Sequence, residues 1–356
     1  MLVGYCEPMG NTIAGRLYVY DQFATAKSGP LHGDAVVAAA KDEGLAGDQI
    51  VQHSKNKTEI DGGLYTKVAS RKEYDQAFKK GVVGLQKDTL EDATGELKRL
   101  KKDGVHDSAV NFSMGMSKAS VADAYFKKMS LAWDSNDFQG SAEEKLKAED
   151  EARALVDNFA RMHGTTADHV IDQMAVPKSD GAKAYGLLMK QTLAKEVDQA
   201  LQGDTVVAQA KKNYDQAVVD FEKDHNSVVV AAENSGDIRM RKGEQIAGLY
   251  DNVLSSSATT TVGATNAQGT AVESYSNPSK NVSVYARGQS PIWQNPGTSF
   301  AAPRVAAAMA KAHQLNQKME SEEVERQVLA EWTTAGPGGR GVQLDSQKDK
   351  TYFSQN

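Results

Sequence analysis

The chain of 356 residues contains one cysteine, Cys6, so no intramolecular disulfide is available and the fold must hold without one. A lone cysteine of this kind reads as a small buried apolar residue. No apolar run is long enough to span a bilayer, which excludes a membrane-spanning helix. The opening residues, Met1-Leu2-Val3-Gly4-Tyr5-Cys6-Glu7, lack the basic and then apolar order of a secretory signal. Cytoplasmic residence is therefore expected, with a mature secreted form as the alternative. A basic excess is also missing: 41 Lys and Arg stand against 47 Asp and Glu, a net charge of -6, which argues against nucleic acid as a partner. The lysine-rich run at 98–102 then reads as a solvated helix face.

Hydrophobic residues make up 40% of the chain and charged residues 25%, the balance of a soluble globular protein. The length suffices for a large core, and the chain reads as a single domain over 1–356 that carries an insertion. Residues 16–21, rich in Val and Tyr, read as a strand ending on Asp21. After a Gly-Pro loop, His32 and Gly33 open an alanine-rich helix. Ser70 and Glu73 have capping-box spacing before Tyr74 and Phe78, and Leu90, Ala93, Leu97 and Leu100 form a second pattern. These predict two amphipathic helices packed on a sheet. Residues 108–115 read as a buried strand leaving at Gly115. A strongly charged stretch, 119–224, then carries helix signals throughout, including a capping box at Ser141. It reads as a helical insertion, with His163 and His169 as surface residues, since two histidines without a third ligand make no metal site. From Val228 to Ala232 the chain turns continuously apolar, the pattern of a strand buried on both faces. Further strand patterns at 258–263 and 281–288 predict an α/β fold with a mostly parallel sheet flanked by helices.

Four polar residues stand at element ends: Asp21, His32, Asn234 and Ser299. Ser299 sits between Gly297 and an alanine-rich run at 301–312 with the composition of a buried helix, with Pro303 expected in its first turn. Alone, Ser299 reads as a helix cap before a packed helix. As a set, the four supply what nucleophilic acyl transfer needs: a hydroxyl, an imidazole base, a carboxylate to orient it, and an oxyanion donor. No Gly-x-Ser-x-Gly elbow surrounds Ser299, which disfavours an esterase of that type.

The stretch Gly297-Thr298-Ser299-Phe300-Ala301-Ala302-Pro303 resembles the nucleophile motif of the subtilisin-like serine proteases, the subtilases. His32-Gly33-Asp34-Ala35-Val36 resembles their histidine motif, with Asp34 in place of the usual Thr. Val228 to Gly236 resembles the strand and turn of the oxyanion asparagine, 110–115 the substrate-binding strand, and 258–264 the strand that follows. Tyr18 to Asp21 resembles the aspartate strand, with Gln22 and Phe23 replacing small residues. The resemblance leaves out most of 41–102 and 119–224. It implies a three-layer subtilisin-like domain and a serine endopeptidase acting on polypeptides, with Ser299 as nucleophile, His32 as base and acid, Asp21 as its orienter and Asn234 as oxyanion donor. Ser113, Met114, Gly115, Ala232 and Glu233 would bind the substrate. No cofactor is required for the chemistry, although the family allows structural calcium.

Three departures stand out. Asp21 and His32 stand only eleven positions apart, so the loop between them must be cut to a minimum. Asp21 comes too early to leave room for an inhibitory propeptide. Glu233 replaces a glycine beside the specificity pocket, where its carboxylate either favours a basic substrate side chain or narrows the pocket, unless it points to solvent. The insertion could cover the cleft or bind a protein partner or inhibitor. The alternative function is a catalytically silent subtilase-like scaffold that binds peptides or proteins.

Overall fold

The computed structural model describes residues 14–21, 31–54, 62–65, 67–130, 142–175, 180–337 and 342–345. Cys6, the segment 1–7, Gln22, Phe23, most of the Gly-Pro loop and Ser141 lie outside the described residues. The elements run β1 (Leu17–Asp21), α1 (His32–Asp42), β2 (Ile50–Ser54), α2 (Arg71–Lys102), β3 (Ala109–Phe112), α3 (Lys118–Ser130), α4 (Ala142–Met162), α5 (Ala167–Ala175), α6 (Asp180–Leu201), α7 (Thr205–Glu222), β4 (Ser227–Ala231), β5 (Thr260–Thr265), β6 (Val282–Arg287), α8 (Thr298–Leu315), α9 (Ser321–Glu331), β7 (Thr333–Ala335) and β8 (Val342–Leu344).

The eight strands form one sheet in the order β2-β1-β3-β4-β5-β6-β8-β7, and every pair is parallel except β7 with β8. Alternation along the strands divides the buried side chains between two faces. Leu17, Val19, Ala109, Val229, Ala231, Val262 and Val284 pack against α1, α8 and α9. Tyr20, Val110, Phe112, Val228 and Val230 point the other way, against the second half of α2 and against α7. Central strands such as β4 are buried at every position, which is why their sequence is a continuous apolar run.

The two helices that the sequence predicts across 70–100 are one 32-residue helix, α2. Ser70 does cap it, accepting from the Glu73 amide. Gly81 lies in its middle without ending it, because the helix is held there by close packing: a Cβ at Gly81 would come 2.5 Å from the Tyr125 hydroxyl. Glycine costs a helix about 1 kcal/mol relative to alanine, which tertiary packing readily overrides. The first half of α2 leaves the sheet and joins α3, α4, α5 and α6 in a separate apolar cluster around Tyr74, Phe78, Val82, Tyr125, Phe159 and Leu193. Helix α7, expected with the insertion, instead returns to cover the sheet. His169 is exposed, and His163 is partly buried, 3.2 Å from Glu196 and against the Phe159 ring.

Candidate active site

Parallel strands deliver their C-terminal ends to one edge of the sheet, where functional groups collect in open α/β folds. Asp21 is the last residue of β1 and is 0% exposed. His32 is the first residue of α1, and its Nδ1 lies 3.1 Å from Asp21 Oδ2 and 3.2 Å from Oδ1. Gly33 leaves room at this corner, since a Cβ there would come 2.4 Å from Gln52 Nε2 and 3.1 Å from Asp21 Oδ2. Asp34 faces elsewhere: its carboxylate accepts from the Leu31 amide at 3.0 Å and closes the first turn of α1. The His32 ring is tilted against Phe300 at 5.4 Å and meets Trp293 edge-on at 5.9 Å. Phe300 follows Ser299 directly, so the imidazole stands beside the start of α8.

Ser299 does not cap α8. The N-cap is Gly297, extended at φ -167°, and Thr298 and Ser299 are the first two helical residues. Amides at such a terminus lack intrahelical partners and favour negative charge. Pro303 is also not in the first turn, because the helix starts three residues before the alanine run. As the sixth helical residue it lacks the N–H that would bond the Ser299 carbonyl. The Ser113 hydroxyl, just past β3, donates to that carbonyl instead at 2.8 Å, and Asn111 Nδ2 donates to Ser113 Oγ at 2.8 Å. The proline therefore frees a carbonyl, and the expected substrate strand takes it up.

Asn234 follows β4 and is exposed. Its Oδ1 accepts from the Thr298 amide at 2.8 Å and from the Thr298 hydroxyl at 3.0 Å. An amide N–H can only donate, so these bonds fix which end of the side chain is oxygen and which is nitrogen. Nδ2 then lies beside Gly297, 3.2 Å from where a Cβ would stand.

The structure brings Glu233 to this edge in an unexpected posture. It has φ 76° and is 7% exposed, so it does not point to solvent. Its carboxylate oxygens accept from the Ser117 amide at 2.9 and 2.8 Å, at the start of α3, and from the Ser120 hydroxyl. Burial pushes its carboxyl up to about 7, against the lowering effect of these donors. Ala232 is buried, and the Met114 side chain packs into the sheet core. Asn252, which carries no sequence signal, donates from Nδ2 to Met114 O at 3.2 Å and to Ala231 O at 2.7 Å.

Away from the reacting edge, α1 and α8 are tied by charge. Arg304 donates to Asp42 at 2.6 Å and to the fully buried Glu43 at 2.5 Å. Arg287 reaches the same two carboxylates at 3.4 and 3.2 Å. Among the described residues no group of three or more His, Cys, Asp or Glu is gathered to hold a metal ion. No described helix is long and apolar enough to cross a membrane.

A family model described as "Subtilase family" matches residues 180–347. The matched span contains Asn234 and Ser299 and leaves out Asp21 and His32. No curated protein sequence matches the chain. Among solved structures, it is similar to one described as proteases from Pseudoalteromonas arctica, at 19% identity and TM-score 0.29, covering 39% of this chain and 46% of that one. The chain thus spans less than half the length of that protein. It is also similar to a "PatG macrocyclase domain" at 18% identity and TM-score 0.24, covering 62% of this chain and 74% of that one. The eight-stranded, mostly parallel sheet with flanking helices is consistent with a subtilisin-like α/β fold.

Proposed function

Taking the subtilase match over residues 180–347 as premise, we propose that this chain is a serine endopeptidase hydrolysing polypeptides. The observation that carries the reading is the Asp21–His32 hydrogen bond at Nδ1, made between residues eleven positions apart, at the edge where Ser299 lies in the first turn of α8. A carboxylate at Nδ1 selects the tautomer with its proton on that nitrogen and leaves Nε2 to act as base. Ser299 Oγ attacks the scissile carbonyl as His32 takes its proton. The negative charge on the carbonyl oxygen is met by Asn234 Nδ2 and the Ser299 amide. Collapse expels the amine, protonated by His32, and water then hydrolyses the acyl-enzyme by the same steps in reverse.

Thr298 matters here because it holds Oδ1 of Asn234, so the amide is aimed before charge develops and no reorganisation is needed. Ser113 and Gly115 offer backbone to an extended substrate, and strand pairing of this kind tolerates many sequences. No step draws on a cofactor. The chain reads as one catalytic domain in which α3 to α6 form a helical insertion suited to a protein partner or inhibitor.

A serine-directed fluorophosphonate tests the assignment. The folded protein is expected to label stoichiometrically, and Ser299→Ala to abolish labelling. A well-folded, unobstructed protein that takes no label would instead favour the silent peptide-binding scaffold.

A further inference from the structure

On the protease reading, a peptide bound for attack at Ser299, with its carbonyl oxygen at Asn234, would place the side chain of the acyl-side residue between two segments. One is 113–117, leaving β3, and the other is 231–235, leaving β4. In this chain both segments are bridged from within. Glu233 spans the gap near its mouth, with its carboxylate on the Ser117 amide and the Ser120 hydroxyl. Asn252 spans it deeper, joining Met114 O to Ala231 O. Asn252 is 3% exposed and lies so close against Gly115 that no Cβ could be added there. Two further bonds brace the Glu233 bridge: the Ser235 amide donates to Asn277 Oδ1 at 2.8 Å, and Asn277 Nδ2 donates to Ser117 Oγ at 3.1 Å.

We infer that Glu233 and Asn252 fill the side-chain pocket of the proposed site, so that the substrates are polypeptides cleaved after glycine, alanine or serine. The inference rests on the protease reading and names its substrate class. The carboxylate does not serve a basic side chain, because both oxygens are already engaged by donors of the chain itself and little of the group is exposed. A large side chain would have to break the Glu233 bridge and leave the Ser117 amide without a partner, which lowers the relative rate by roughly 10-fold or more.

Peptidyl phosphonates that react with the nucleophile, identical except for an Ala, Phe or Lys side chain at the acyl position, test this on the intact protein, alongside a bare fluorophosphonate. The Ala probe is expected to react at least about ten times faster than either of the others. In Glu233→Gly the Phe probe should gain about tenfold or more relative to Ala. Glycine is the substitution that the positive φ at this position accepts most easily, and the wild-type ranking stands as a test whether or not the variant folds. Equal or faster reaction of the Phe probe with the wild type overturns the inference. So does a preference for the Lys probe that disappears in Glu233→Gln, which would return the carboxylate to recognition of a basic residue. If the bare reagent also fails to label, the protease reading itself fails and the inference falls with it.

Discussion

Glu233→Gln probes whether the buried carboxylate is a burden on the fold at neutral pH. Burial raises its carboxyl from 4.5 to about 7, so between those values the folded state holds a proton that the unfolded chain releases. Stability then falls as pH rises through this window and levels off above it. At about 1.4 kcal/mol per pH unit, a raised value of this size amounts to roughly 3 kcal/mol. Glutamine keeps the shape, accepts from the Ser117 amide through its oxygen, turns its NH2 toward Ser120 Oγ and does not titrate. Urea denaturation midpoints of both proteins at pH 5, 6, 7 and 8 isolate the contribution, because every other titration cancels in the difference. The variant should gain on the wild type steadily from pH 5 to 7, by about 2 to 3 kcal/mol in all, and hold that gain at pH 8. A difference that stays flat across the range would refute the assignment of a desolvated carboxylate. One that runs the other way would mean the bonds from Ser117 and Ser120 outweigh burial.

Other outcomes follow from the same geometry. Burial lowers the His313 imidazole from 6.5 to about 4, so its neutral form is bound to the fold; stability should fall as pH drops from 6.5 toward 4, and less so in His313→Gln. Arg304→Met removes the main partner of the buried Glu43 carboxylate and should cost on the order of 3 kcal/mol by thermal or chemical denaturation, with Arg287 limiting the loss. Asn234→Ala should lower kcat on the order of 10²–10³-fold with little change in KM, read in steady-state peptide hydrolysis. Asp21→Asn should lower kcat on the order of 10⁴-fold by favouring the wrong His32 tautomer, while far-ultraviolet circular dichroism remains unchanged.

Five strands of the sheet, β1 and β3 to β6, and the four polar residues at its edge are legible in the sequence because each is announced locally, whereas β2, β7 and β8, toward the two sides of the sheet, carry no such signal. Apolar runs such as 228–232 mark buried strands, and the glycines beside Ser299 and His32 mark sharp approaches of backbone. Boundaries are less legible. The alanine run hides the true start of α8, so Pro303 reads as a first-turn residue although it lies deeper. Glu233 reads as a carboxylate that recognises a basic side chain, narrows the pocket or points to solvent, and the choice is not legible because nothing near it in sequence hints at the Ser117 amide, 116 residues away. Asn252 goes unmarked for the same reason, since its partner at Met114 is 138 residues distant. The two patterns of α2 differ because its halves face different partners, the helical cluster and the sheet, and no periodicity within the segment reveals that one helix serves both.

The hydroxyl of Ser113 has a mechanical consequence. In an ordinary helix the height of Ser299 above the sheet would be set by α8 alone, through its own ladder of bonds. Here Pro303 has cut that rung, and the level of the serine is gauged from β3. The strand that would carry a peptide and the residue that would attack it therefore share one ruler. A disturbance that moves the end of β3 displaces both together, preserving their separation while their common position on the sheet shifts.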